Sequence, residues 1–133
     1  MRVDHIAIAV NNVEEALKNY QNILKIEKID IEDVPTEKVR VAMLKLEDSR
    51  IELMEPMAND SPISKFLREK GEGIHHIAIT ADNIEEDVAH AKKNGMRFLG
   101  EIRSGSYGRK ITFIHPKSLN GVLTEFCQSP PIE

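Results

Sequence analysis

One stretch of this chain is written twice. His75-His76-Ile77-Ala78-Ile79 restates Asp4-His5-Ile6-Ala7-Ile8, and Asp82-Asn83-Ile84-Glu85-Glu86 restates Asn11-Asn12-Val13-Glu14-Glu15. His5 and His76 stand 71 residues apart, as do Asn12 and Asn83, and Thr124-Glu125-Phe126 answers Ile51-Glu52-Leu53 at an interval of 73. A repeat of this kind implies one supersecondary unit folded twice. Each copy carries one histidine near its start and one glutamate near its end. Two imidazoles and two carboxylates form a suitable ligand set for a divalent metal.

The pattern within each copy predicts a βαβββ order. Residues 2–10 alternate as a strand. Asn12 is placed to cap a helix, with Glu15 in the capping-box position, and Val13, Ala16, Leu17, Tyr20, Ile23 and Leu24 form its buried stripe. Strand-like segments follow at about 27–34, 38–46 and 50–55, the last two separated by a turn at Asp48-Ser49. The second copy predicts a strand at 74–81 and a helix from Ile84 to Asn94 stopped by Gly95. Its further strands fall near 97–102, 109–115 and 121–127. Between the copies, Ser61 and Pro62 begin a short helix, which Ile63, Phe66 and Leu67 dock and Gly71 and Gly73 end. The expected organisation is one domain over 1–133, with modules at about 1–57 and 74–128 joined by that helical connector.

A chain of 133 residues is large enough to bury a core without staples. Its net charge of −4 argues against a general nucleic-acid or anionic-membrane binder. The single cysteine, Cys127, excludes an internal disulfide and suits a reducing compartment. No apolar run is long enough to span a bilayer and the N-terminus has no signal-peptide core, so a cytoplasmic location is expected.

Strand alternation assigns faces. Ile6, Ile8, Ile51 and Leu53 belong with the helix of the first copy, so His5 and Glu52 point away from it. Ile77, Ile79 and Phe126 do the same for His76 and Glu125. All four polar residues are therefore expected on the face without helices, lining a trough if the two copies pack as a curved mixed sheet. A lone strand histidine is more often structural than ligating; two histidines and two glutamates in register with a repeat reverse that expectation. His75 has the parity of Ile77 and is expected to be structural or peripheral, His90 superficial and Cys127 a packing residue.

At these residues the chain resembles the methylmalonyl-CoA epimerase family of the vicinal oxygen chelate (glyoxalase-like) superfamily. The resemblance runs from Asp4 to Phe126 and includes Ile51-Glu52-Leu53-Met54-Glu55-Pro56, Asp60-Ser61-Pro62-Ile63 and Gly71-Glu72-Gly73-Ile74-His75-His76-Ile77-Ala78. Its narrowest part is Phe113-Ile114-His115-Pro116-Lys117-Ser118 followed by Asn120-Gly121-Val122-Leu123-Thr124-Glu125. The resemblance implies an α+β fold of paired βαβββ modules around a metal-binding trough. It also implies an open-site divalent metal, cobalt or manganese foremost with zinc and nickel as further candidates, held by His5, Glu52, His76 and Glu125. Some family members have Gln where this chain has Glu52. Others carry a catalytic Glu in a Val-Arg-Glu-Ala run, where this chain reads Val39-Arg40-Val41-Ala42, so Val41 cannot serve as the second acid/base.

The implied reaction is epimerisation of a 2-methylmalonyl thioester at C2 through an enolate, which a metal stabilises as a Lewis acid. Glu125 is the expected proton-transfer group, and Glu37, just before the Val41 strand, is the candidate for the other. The substrate is an acyl-CoA and a homodimer is expected. No Asp or Glu occurs from Ile102 to Thr124, and Ser104, Gly105, Arg109, Lys110 and Lys117 in that run are the candidate contacts to CoA phosphates. The competing readings are a glyoxalase-type lyase, a ring-cleaving dioxygenase with a facial triad, and a metal-free ligand-binding or resistance protein on the same scaffold.

Overall fold

A computed structural model describes residues 1–131. The chain divides into two compact units. One is His5–His75; the other begins at His76 and includes Met1–Asp4.

In the first unit, strand β1 (Val3–Ala9) leads to helix α1 (Val13–Leu24), strands β2 (Ile29–Val34), β3 (Val39–Lys45) and β4 (Arg50–Pro56), and helix α2 (Pro62–Lys70). The strand order is β2-β3-β4-β1, with β1 parallel to β4 and the other pairs antiparallel. In the second, strand β5 (Gly73–Thr80) leads to helix α3 (Ile84–Lys93) and strands β6 (Phe98–Ser104), β7 (Lys110–Ile114) and β8 (Thr124–Gln128). The order β5-β8-β7-β6 repeats the arrangement, with β5 parallel to β8. The repeated βαβββ order read from the sequence is therefore the observed one.

The helix starts follow from their caps. Asn12 is extended and its side chain accepts from the Glu15 N–H at 2.9 Å, and Asn83 does the same for Glu86 at 3.1 Å. Ser61 accepts from the Ile63 N–H, with Pro62 in the first turn of α2. Helix α1 ends on Lys25 in the left-handed region, which delays β2 to Ile29. The helix seals Ala42, Leu44 and Leu53 with Val13 and Leu17. Fully burying a side chain such as Leu53 contributes about 1.5–3 kcal/mol. Ile23, expected in that stripe, is 76% exposed, because Leu17 and Leu24 hold the centre of the face and Ile23 turns roughly 100° away from Leu24.

Two expectations need correction. The face of the first sheet opposite α1 is not free of helices: Ile63, Phe66 and Leu67 of α2 pack there against Ala9, Val41, Met43 and Met54. The connector thus completes the core of the first unit. Strand β8 starts at Thr124 rather than 121, because Pro116–Leu119 forms a 3-10 turn followed by Asn120 and Gly121, both at positive φ.

Candidate functional site

Each unit brings one histidine to one glutamate. In the first, β1 pairs with β4 so that Ala7 lies opposite Glu52 and Arg50 opposite His5. Alanine has too little side chain to fill the space beside the carboxylate, so the His5 ring reaches across it. His5 Nδ1 stands 3.2 Å from Glu52 Oε2. In the second, Ala78 lies opposite Glu125 and His76 Nε2 stands 3.2 Å from Glu125 Oε1. All four side chains are buried, none more than 4% exposed. Phe113, opposite Glu125 in register, meets the His76 ring edge-on with centroids 5.1 Å apart.

The electrostatics of the two halves differ. Arg50, on the same face as Glu52, places Nε 3.8 Å from its Oε2. The residue two before Glu125 is Leu123, so no guanidinium occupies the matching place in the second copy. Two buried carboxylates, each beside an imidazole, fit a divalent cation: desolvated carboxylates require charge partners, and imidazole nitrogen and carboxylate oxygen are donors such ions accept. The sequence reading missed Arg50, whose only signal was its even spacing from Glu52.

His75 is half-buried, its ring edge-on to Phe66 at 5.0 Å, and His90 is exposed. Cys127 is buried in the second unit's core with Ala78 and Ile111. Burial foremost, then the negative charges of Glu125 and Asp4, push its thiol pKa well above the ordinary range. It is a packing residue at neutral pH.

The acid-free run does not gather into one phosphate patch. Arg109 is 4% exposed and turned inward, donating to Asp4 Oδ2 at 2.8 Å and to Ser106 through its hydroxyl and carbonyl. It holds the fold instead of meeting solvent anions. Gly105 gives its N–H to the Arg109 carbonyl at 2.9 Å, and a Cβ there would lie 2.8 Å from Ile111 Cγ2. Packing, not anion approach, accounts for that glycine. Lys110 is exposed and paired with Glu85 of α3 at 2.6 Å, and the Arg103 guanidinium lies over the Phe113 ring. Ser104 and Lys117 are exposed. The His-Pro-Lys-Ser stretch builds a turn: His115 Nδ1 accepts from the Lys117 N–H, and Ser118 Oγ accepts from the Arg97 N–H.

Glu37 lies in the turn between β2 and β3. Met43 is the partner of Glu52, and four residues of strand separate Met43 from Val39. At about 3.3 Å per residue, Glu37 therefore begins more than about 13 Å along the sheet from the Glu52 level, beyond the reach of its side chain. Val41 does share the Glu52 face, but it is 2% exposed within the apolar cluster that α2 covers.

Residues 4–113 match the Glyoxalase/Bleomycin resistance protein/Dioxygenase superfamily, and the chain belongs to it. Within that superfamily several of its relatives are methylmalonyl-CoA epimerases. The chain is 39% identical over 130 residues to human mitochondrial methylmalonyl-CoA epimerase, covering 96% of this chain and 74% of the relative. It is 38% identical to the ethylmalonyl-CoA/methylmalonyl-CoA epimerase of Cereibacter sphaeroides, covering 96% and 97%. The solved structure of a variant Streptomyces coelicolor methylmalonyl-CoA epimerase, in complex with 2-nitronate-propionyl-CoA, matches with a TM-score of 0.95 at 38% identity, covering 100% of this chain and 97% of that one. The paired βαβββ fold expected from the repeat is the fold of that solved structure.

Proposed function

We propose that this protein epimerises methylmalonyl-CoA at C2 and that His5, Glu52, His76 and Glu125 together hold one divalent metal ion. The observation that carries the reading is the duplicated buried His–Glu pair, set in register with the repeat, in a chain similar over nearly its whole length to methylmalonyl-CoA epimerases. The two carboxylates offset the charge of a dication, and cobalt or manganese is the expected ion.

A divalent ion bound by these residues would supply Lewis-acid stabilisation of the negative charge that develops on the thioester oxygen as the C2 proton leaves. Glu125 is the proposed proton acceptor, and positioned acid–base catalysis of this kind contributes about 10²–10⁴-fold. Val41 has no proton to give and Glu37 lies too far along its hairpin, so the proton on the other face comes from water or a residue outside these two. Ser104 and Lys117, the exposed candidates of the acid-free run, are the proposed contacts to the CoA portion. A homodimer is proposed with them, and sedimentation of the metal-loaded protein checks it.

The test pairs metal analysis with C2–H exchange of methylmalonyl-CoA in deuterated water. One ion per chain and exchange of the C2 proton, without cleavage or oxygen uptake, is the expected result. Oxygen consumption would move the protein to the dioxygenases, and a metal-loaded protein without exchange would refute the epimerase reading.

A further inference from the structure

Three residues beyond each proposed ligand carboxylate stands a side chain with a second attachment. Glu55 follows Glu52 and Gln128 follows Glu125 at the same offset. An odd offset along a strand turns the side chain to the opposite face, here the face carrying the helix. Glu55 Oε1 accepts from the N–H of Val13, the first residue of α1, at 2.8 Å. Gln128 Oε1 accepts from the N–H of Ile84, the first residue of α3, at 2.6 Å. One residue before each, the backbone repeats the tie: the Val10 N–H donates to the Met54 carbonyl at 3.0 Å and the Ala81 N–H to the Cys127 carbonyl at 2.8 Å.

The first N–H of a helix has no partner within the helix. Asn12 and Asn83 already serve the third residue of their helices. The donor of the first residue is met from a strand 42 residues away in one unit and 44 in the other. That strand carries the glutamate; the helix follows directly from the strand carrying the histidine. A slip of one residue between the two parallel strands would displace the carboxylate by about 3.3 Å and turn it to the other face, ending the 3.2 Å approach seen in both units.

We propose that Glu55 and Gln128 are positioning residues that fix the strand register on which the two His–Glu pairs depend. The proposal rests on the reading of those pairs as metal ligands. One copy uses a carboxylate and the other an amide, so what they share is a single acceptor oxygen, with the charge incidental to the role.

The experiment titrates the protein with Co²⁺ against a competing chelator, records the visible cobalt spectrum, and follows urea unfolding of each variant. Glu55→Ala and Gln128→Ala should each weaken cobalt binding by about tenfold, within the range for residues that orient ligands from behind, and shift the spectrum. Glu55→Gln and Gln128→Glu should stay within about twofold of the parent. Asn12→Ala removes another cap from the same helix and is the control: it should lose comparable stability without the loss of cobalt affinity. If Glu55→Ala does not fold, Gln128→Ala and Gln128→Glu decide by the same readout. Cobalt affinity lost no further in Glu55→Ala than in Asn12→Ala overturns the proposal, as does failure of Glu55→Gln to rescue it. A parent protein that binds no cobalt overturns the ligand reading and this inference with it.

Discussion

Replacing Asp4 with alanine should be among the more damaging single substitutions outside the proposed ligands. Asp4 and Arg109 are 5% and 4% exposed, and Arg109 Nη1 lies 2.8 Å from Asp4 Oδ2. The guanidinium also donates to the Ser106 carbonyl and hydroxyl, neither of which carries a charge. Asp4→Ala removes an anion from beside a buried cation, a loss that costs about 3–5 kcal/mol. For a chain of this length each kcal/mol lowers the melting temperature by about 3–5 °C, so the expected fall is roughly 10–25 °C. Replacing both partners with apolar residues, Asp4→Leu with Arg109→Met, removes the stranded charge and should recover most of the loss. Urea unfolding of the parent, single and double variants at matched salt measures this. A single variant within about 1 kcal/mol of the parent, or a double variant no better than the single, would refute the assignment of Arg109 to the interior.

The remaining predictions concern the site. His76→Ala should lose the divalent metal while His75→Ala retains it, as metal analysis of the purified variants will report; equal loss would mean that the strand faces are reversed. Glu125→Gln should abolish C2–H exchange even with metal bound, because the amide offers an oxygen but accepts no proton, whereas Glu37→Gln should leave exchange and epimerisation unchanged. A metal-loaded, active Glu125→Gln would remove Glu125 as the base. The Cys127 thiol, its pKa raised first by burial and then by Glu125 and Asp4, should resist iodoacetamide at pH 8 until the protein unfolds. Its native pKa lies above the unfolded value of about 8.5. The unfolded chain therefore sheds the proton first, and stability should fall as pH rises past about 9; Cys127→Ala should lessen that fall.

Period-two patterning, the Asn12 cap and the spacing of the repeat were enough to determine the order of elements, the faces of the strands that carry the two histidines and two glutamates, and the four ligand candidates. These are consequences of local backbone geometry, and local geometry is written in residue type and interval. The sequence could also say that Val41 takes no part in proton transfer, since a valine side chain has no ionisable group. It could not say where Arg109, Gly105 and Glu37 would lie, because a charge or a glycine in a loop looks the same whether it faces solvent or the interior. Tertiary structure decided that Arg109 turns inward to an aspartate 105 residues away and that Gly105 makes room for Ile111. It decided as well that α2 covers one face of the first sheet. The role of Glu55 and Gln128 was hidden for the same reason. A hydrogen bond to a helix N–H more than 40 residues distant leaves no periodic trace, and exists only once the strands have paired.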